Sequence, residues 1–167
     1  MRTLRVFLLM ACMALPSAAL AADTLRMATT TGTRDSGLLE YLKPLLLREA
    51  GIELKWVATG TDKVWEHGKN CGVDVLLAHD PAAERKMVED GFAVDRRQVM
   101  YLAEGDNNPP EQYSVMTVNP ARCPKVKAGL AKKFADWWVC PSTQNHIAAF
   151  RREGRQIFFP NAAPPSR

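Results

Sequence analysis

Short apolar runs of strand type alternate with longer runs of helical period along residues 25–102, and this alternation narrows the fold more than any other property of the chain. Residues 25–30 read as a strand, 37–49 as a helix with apolar positions at Leu38, Leu39, Leu42, Leu45 and Leu46, and 52–59 as a second strand. A shorter helix follows at 62–68, a strongly apolar strand at 73–79, a helix at 82–89 opened by Pro81, and a strand at 98–102. Strands separated by helices pair in parallel through crossovers, so the expected fold is α/β, a mostly parallel sheet flanked by helices. In such sheets ligands gather outside the carboxyl ends of the strands.

Beyond Leu102 the texture changes. Residues 103–111 form a polar, turn-rich connector and 113–118 a further strand. Val126, Leu130, Phe134 and Trp138, with lysines between them, mark an amphipathic helix over 124–138, and a second helix is expected at 143–152. Trp137 and Trp138 read as core anchors, residues 157–160 as an apolar end piece and 161–167 as a frayed end.

Arg2 and Arg5 precede an apolar run at 6–15, and Ala19 and Ala21 frame a cleavage point before Ala22, so residues 1–21 read as a signal peptide and the chain as periplasmic. The run is too short to span a bilayer. Leu9-Met10-Ala11-Cys12 has the look of a lipobox, but Cys12 would leave too short a signal core, and a lipid anchor is not expected. Without residues 1–21 the basic residues fall from 22 to 20 against 18 acids, a net charge of +2, and residues 22–167 suit one compact domain. No basic run interleaved with aromatics suggests a nucleic-acid surface.

Cys71, Cys123 and Cys140 remain, an odd number in a compartment that permits disulfides. A helix between Cys123 and Cys140 holds those two apart, so a bridge would involve Cys71. The cysteines and His67, His79 and His146 lack metal-ligand spacing, and nothing in the pattern calls for a metal or a cofactor.

The chemistry concentrates at the first strand-to-helix turn, Thr29-Thr30-Thr31-Gly32-Thr33-Arg34-Asp35-Ser36-Gly37. Hydroxyls and unpaired N–H groups at a helix start suit an anion, although Asp35 or Ser36 serving only as a helix cap accounts for the same residues. A second such turn, Gly60-Thr61, leaves the next strand, so two helix starts would face one small site. The candidate ligand-binding residues are Thr30, Thr31, Thr33, Gly60, Thr61 and His79; no residue is a candidate for catalysis.

These turns, with Asp74-Val75-Leu76-Leu77-Ala78-His79-Asp80-Pro81-Ala82-Ala83-Glu84 and Gly91-Phe92-Ala93-Val94-Asp95-Arg96-Arg97-Gln98-Val99-Met100-Tyr101, together resemble the tungstate-binding periplasmic proteins of ABC transporters. The resemblance continues through Glu104-Gly105-Asp106, Tyr113, Val118-Asn119-Pro120, Phe134-Ala135-Asp136-Trp137 and Phe158-Phe159-Pro160-Asn161-Ala162. It implies a type II solute-binding fold, capture of a tetrahedral oxyanion such as tungstate or molybdate, and delivery to an ABC permease. It also implies that a second lobe is missing. Family members run from a segment like Val99-Met100-Tyr101 into that lobe, which carries the arginines of the site, whereas here the ends join near residues 101–111. Gly32 stands where the family usually has Ser, and Asp62 and Asp80 add carboxylates near turns that the family keeps neutral. At ~4 Å and an effective dielectric near 20, like charges repel by about 4 kcal/mol, so weak or lost binding is expected.

A second reading makes the single lobe an interaction module. Loss of the opposing lobe would uncover strands near Met100 and Met116 and invite pairing into a homodimer. An enzyme ranks last, because no nucleophile elbow, carboxylate pair or metal triad organises His79, Asp80, Asp35 and Ser36.

Overall fold

A computed structural model describes residues 22–103 and 110–163. The expected signal peptide with Cys12, connector residues 104–109 and the final residues 164–167 lie outside the described residues.

The elements run β1 (Asp23–Thr30), α1 (Thr31–Asp35), α2 (Leu38–Ala50), β2 (Ile52–Thr59), α3 (Thr61–Lys69), β3 (Val75–Ala78), α4 (Pro81–Glu89), β4 (Ala93–Leu102), β5 (Glu111–Val118), α5 (Ala128–Val139), α6 (Pro141–Ala149) and β6 (Phe158–Pro160). They form one six-stranded sheet in the order β2-β1-β3-β5-β4-β6. The α/β class holds, but the sheet is mixed rather than mostly parallel. Only β1–β2 and β1–β3 pair in parallel, while β3–β5, β4–β5 and β4–β6 are antiparallel. The reason is connectivity: β4 passes directly to its neighbour β5, and a strand that returns without a crossover runs antiparallel.

Period-two alternation divides the sheet between two cores. Leu25 and Met27 of β1, Val75 and Leu77 of β3, and Tyr113 and Val115 of β5 pack with α2, α5 and α6. Ala28, Leu76, Ala78, Met116 and Val118 face the other way, against Val64 and Trp65 of α3 and Met87 of α4. A buried side chain of this size contributes about 1.5–3 kcal/mol. Trp137 and Trp138 are buried as anchors in the first core.

The strand expected at 98–102 is the end of a longer one. β4 begins at Ala93, but register shifts between Val94 and Arg97 and between Gln98 and Met100, with Asp95 at φ 54°, break its pattern. Short α1 was not expected; Gly37, at φ 80°, turns the chain from it directly into α2. The end piece at 157–160 supplies β6, which covers β4. Met100 and Met116 are consequently inside the sheet and fully buried, contrary to the expectation of an uncovered edge; the sheet edges are β2 and β6.

Two polar ties close the fold. The carboxylate of Asp74 is fully buried. It accepts the N–H of Arg26 at 2.9 Å and of Lys127 at 3.0 Å, linking β1 to the start of α5. The Glu49 carboxylate of α2 accepts from Trp137 Nε1 and is paired with His146 Nε2, both at 3.0 Å, which joins α2 to α5 and α6. Chiefly through the Trp137 hydrogen bond, with help from His146 and Arg48, its carboxyl is held below the ordinary glutamate value against the opposing effect of burial.

Cys71 is bridged to Cys123 across a sequence separation of 52, with Cα atoms 5.4 Å apart, and Cys140 is free. The bridge fastens the turn after α3 to the segment after β5.

Closing a loop of this length stabilises by about 4 kcal/mol in the chain-entropy account. Cys123→Ser should lower the urea unfolding free energy by about that amount, and reductant should reproduce the loss in the unmodified chain but not in the variant. Because Glu49 has a depressed folded-state pKa, its contribution is present above the ordinary glutamate range and is lost as the pH falls through the folded value. Glu49→Gln should therefore cost about 1 kcal/mol at neutral pH, and the difference from the unmodified chain should shrink in melts taken progressively further below the ordinary glutamate range.

Candidate functional site

The carboxyl ends of β1, β2 and β4 and the first residues of β5 surround an open cavity of about 380 Å³. This is the pole where a parallel arrangement gathers ligands. Thr30 and Thr31 enter from the β1 turn, Thr59, Gly60 and Thr61 from the β2 turn, His79 from the end of β3, and Glu111 and Tyr113 from β5.

The β1 turn is shaped by its own hydroxyls. Thr30, the N-cap of α1, accepts the Thr33 N–H at 3.4 Å, and the two threonine Oγ1 atoms lie 2.8 Å apart. Ser36 Oγ donates to the Thr33 carbonyl at 2.7 Å and accepts the Leu38 N–H at 3.2 Å, which sets the corner between α1 and α2. The capping interpretation of this turn is thus realised by Thr30 and Ser36 rather than by Asp35. Gly60 caps α3 without a side-chain bond, so that helix start opens on the cavity through backbone alone.

Five of the six candidate residues line the cavity: Thr30, Thr31, Gly60, Thr61 and His79. Thr33 does not; it is fully buried beneath Thr30 and orients it. Gly32 lines the wall too, and a Cβ built there meets nothing within 4 Å, so space does not forbid a hydroxyl-bearing residue at this position.

Charge at the site differs from expectation. Asp62 and Asp80 are absent from the lining, and Asp80 instead accepts the N–H groups of Ala82 and Ala83 as the cap of α4. The carboxylates that face the cavity are Asp35 and Glu111, together with the cation Arg152. Asp35 accepts from Arg34 Nε at 2.7 Å, and that bond holds its carboxyl below the usual aspartate value. Glu111 Oε2 lies 3.4 Å from His79 Nδ1, while His79 Nε2 lies 3.4 Å from Thr30 Oγ1. Glu111 and Arg152 escaped the sequence reading because no motif carries them, and Tyr113 was read as part of a strand and of the resemblance but not as a cavity residue. Arg152 sits in the segment after α6, far along the chain from the turns it meets. Among the described residues no group of His, Cys, Asp or Glu is arranged to hold a metal ion.

Such a wall presents hydroxyls and a helix start to a small anion, with Arg152, Asp35 and Glu111 as the charged groups along it.

Known proteins share this architecture. The tungstate-binding protein TupA of Campylobacter jejuni subsp. jejuni serotype O:2 is 49% identical over 69 residues, covering 41% of this chain and 26% of the relative. TupA of Peptoclostridium acidaminophilum is 49% identical over 75 residues, covering 45% of this chain and again 26% of the relative. The chain therefore spans about a quarter of the length of the curated relatives it matches. In structure, the tungstate-binding protein TupA from Desulfovibrio alaskensis G20 superposes with a TM-score of 0.81 at 28% identity, over 85% of this chain and 100% of that one. The mixed sheet with helices on both faces is the architecture of one lobe of a periplasmic binding protein. Residues 16–103, more than half of the chain, match the PBP superfamily domain, and the chain belongs to the PBP superfamily.

Proposed function

We propose that this chain is an extracytoplasmic binding lobe derived from oxyanion uptake, which contacts tungstate, molybdate or a similar tetrahedral anion weakly and works with an ABC permease. One observation carries the reading: residues drawn from three separate strand ends, Thr30 and Thr31, Gly60 and Thr61, and His79, line a single cavity. The tungstate-binding relatives support the ligand class. A periplasmic address follows from the signal-peptide reading of residues 1–21, and no helix among the described residues is long and apolar enough to cross a membrane.

The wall is one-sided. β4 and β5 face each other through the pair Leu102 and Glu111 at the cavity mouth, the point at which the resemblance places the second lobe. Without that lobe a bound anion stays partly hydrated and meets the carboxylates of Asp35 and Glu111, so affinity is low. A Kd near 1 mM, about −4 kcal/mol, is the scale expected of half a site.

Isothermal titration with tungstate, molybdate and sulfate should give small but measurable binding heats, and Thr61→Val should weaken the interaction about tenfold by removing one donor to a charged acceptor. Absence of heat for all three anions at millimolar concentration would sink the reading.

A further inference from the structure

His79 stands where the polar network of the cavity changes direction. Its ring packs against Tyr113, with centroids 4.8 Å apart, and presents one nitrogen to Glu111 and the other to Thr30, each at 3.4 Å. A carboxylate only accepts, so the Nδ1 atom facing Glu111 carries the hydrogen. In the neutral ring, Nε2 is then a lone pair, and the partner that can meet it is the single hydroxyl hydrogen of Thr30. Thr30 Oγ1 already accepts the Thr33 N–H, and it has no second hydrogen to offer the cavity.

A proton on Nε2 reverses this order. Nε2–H now donates to Thr30 Oγ1, whose two lone pairs are taken by Nε2–H and by the Thr33 N–H. The Thr30 hydrogen is left to point at Thr33 Oγ1, 2.8 Å away, or into the cavity. An anion in the cavity is the stronger acceptor. The added positive charge also offsets Glu111, which otherwise opposes any anion on this wall.

We infer that His79 couples anion capture to proton uptake: protonation at Nε2 releases the Thr30 hydroxyl to the ligand and neutralises the charge of Glu111, so the lobe holds an oxyanion with His79 charged and lets it go with His79 neutral. The inference rests on the oxyanion reading above. Other charged groups near the ring have separate engagements. Asp80 caps α4 and Asp35 is bonded to Arg34, while Arg152 brings its positive charge to the lining. Histidine is the side-chain type among these whose ordinary exchange falls between about pH 5 and 8.

Sulfate is the suitable probe because it keeps its double charge over that range, whereas molybdate and tungstate take up protons and condense in acid. Titration calorimetry with sulfate at about pH 8 and about pH 5.5 should show affinity rising about tenfold toward the acid side. His79→Gln, which holds no titrating proton, should abolish the difference between the two pH values, whatever affinity for sulfate it retains. In the unmodified chain, NMR of the His79 ring should show its protonation midpoint moving upward when sulfate is added, a readout that needs no variant. Equal sulfate affinity at both pH values, a rise that persists in His79→Gln, or a midpoint that sulfate leaves in place overturns the coupling and leaves oxyanion capture standing if tungstate still binds. No binding of sulfate, molybdate or tungstate at either pH overturns both.

Discussion

The buried carboxylate of Asp74 is the constraint on which the remaining architecture depends. Its two oxygens accept backbone N–H groups from Arg26 in β1 and Lys127 at the start of α5, and its own N–H and C=O bond to Arg26 and Val118. One residue therefore ties the entry of the middle strand β3 to the strand before it, the strand after it and the helix that covers them. A carboxylate inside a protein is tolerated only when its acceptors are filled, and here backbone donors fill them. With β3 fixed at its base, its far end delivers His79 to the cavity in a constant position. The disulfide between Cys71 and Cys123 reinforces the same pole, and the cavity pole is left to form from turns alone.

Much of this was legible from periodicity. Leucines at helical spacing marked α2, and the uninterrupted apolar run of β3 marked a strand, which the structure shows buried on both faces; both occur close to where they were read. What failed to show was non-local. Antiparallel pairing of β5 against β3 depends on which strand the chain chooses as neighbour, and no residue spacing records that choice. The beginning of β4 was hidden because Asp95, Arg96 and Arg97 break the apolar pattern over a bulge. β6 was read only as an apolar end piece, since three residues carry too little alternation to register as a strand.

The site divides in the same way. Threonine-rich turns at strand ends suit either an anion or a helix cap, and the structure shows both placements: Thr30, Thr31 and Thr61 line the cavity, while Thr30 also caps α1. The separation of roles within the first turn was not legible: Thr33 is spaced like a ligand residue but is withdrawn below the surface to orient Thr30. Glu111 and Arg152 reach the cavity through folding alone and, with Asp35, supply its charges. The wall thus combines neutral donors with charges of both signs.

The pairing of Leu102 with Glu111 has a topological consequence. Where β4 ends and β5 begins, the chain leaves and re-enters the sheet at adjacent points already joined by strand pairing. The rest of the sheet is therefore indifferent to the length of chain between them, because loop closure costs grow only logarithmically when the ends are held together. This position behaves as a port: a short connector or an entire folded body can occupy it while both cores, the bridge and the hydroxyl turns keep their geometry. A two-lobed protein and a one-lobed one can then differ at a single junction, and grafting an unrelated compact domain between these strands is a modification the scaffold is built to accept.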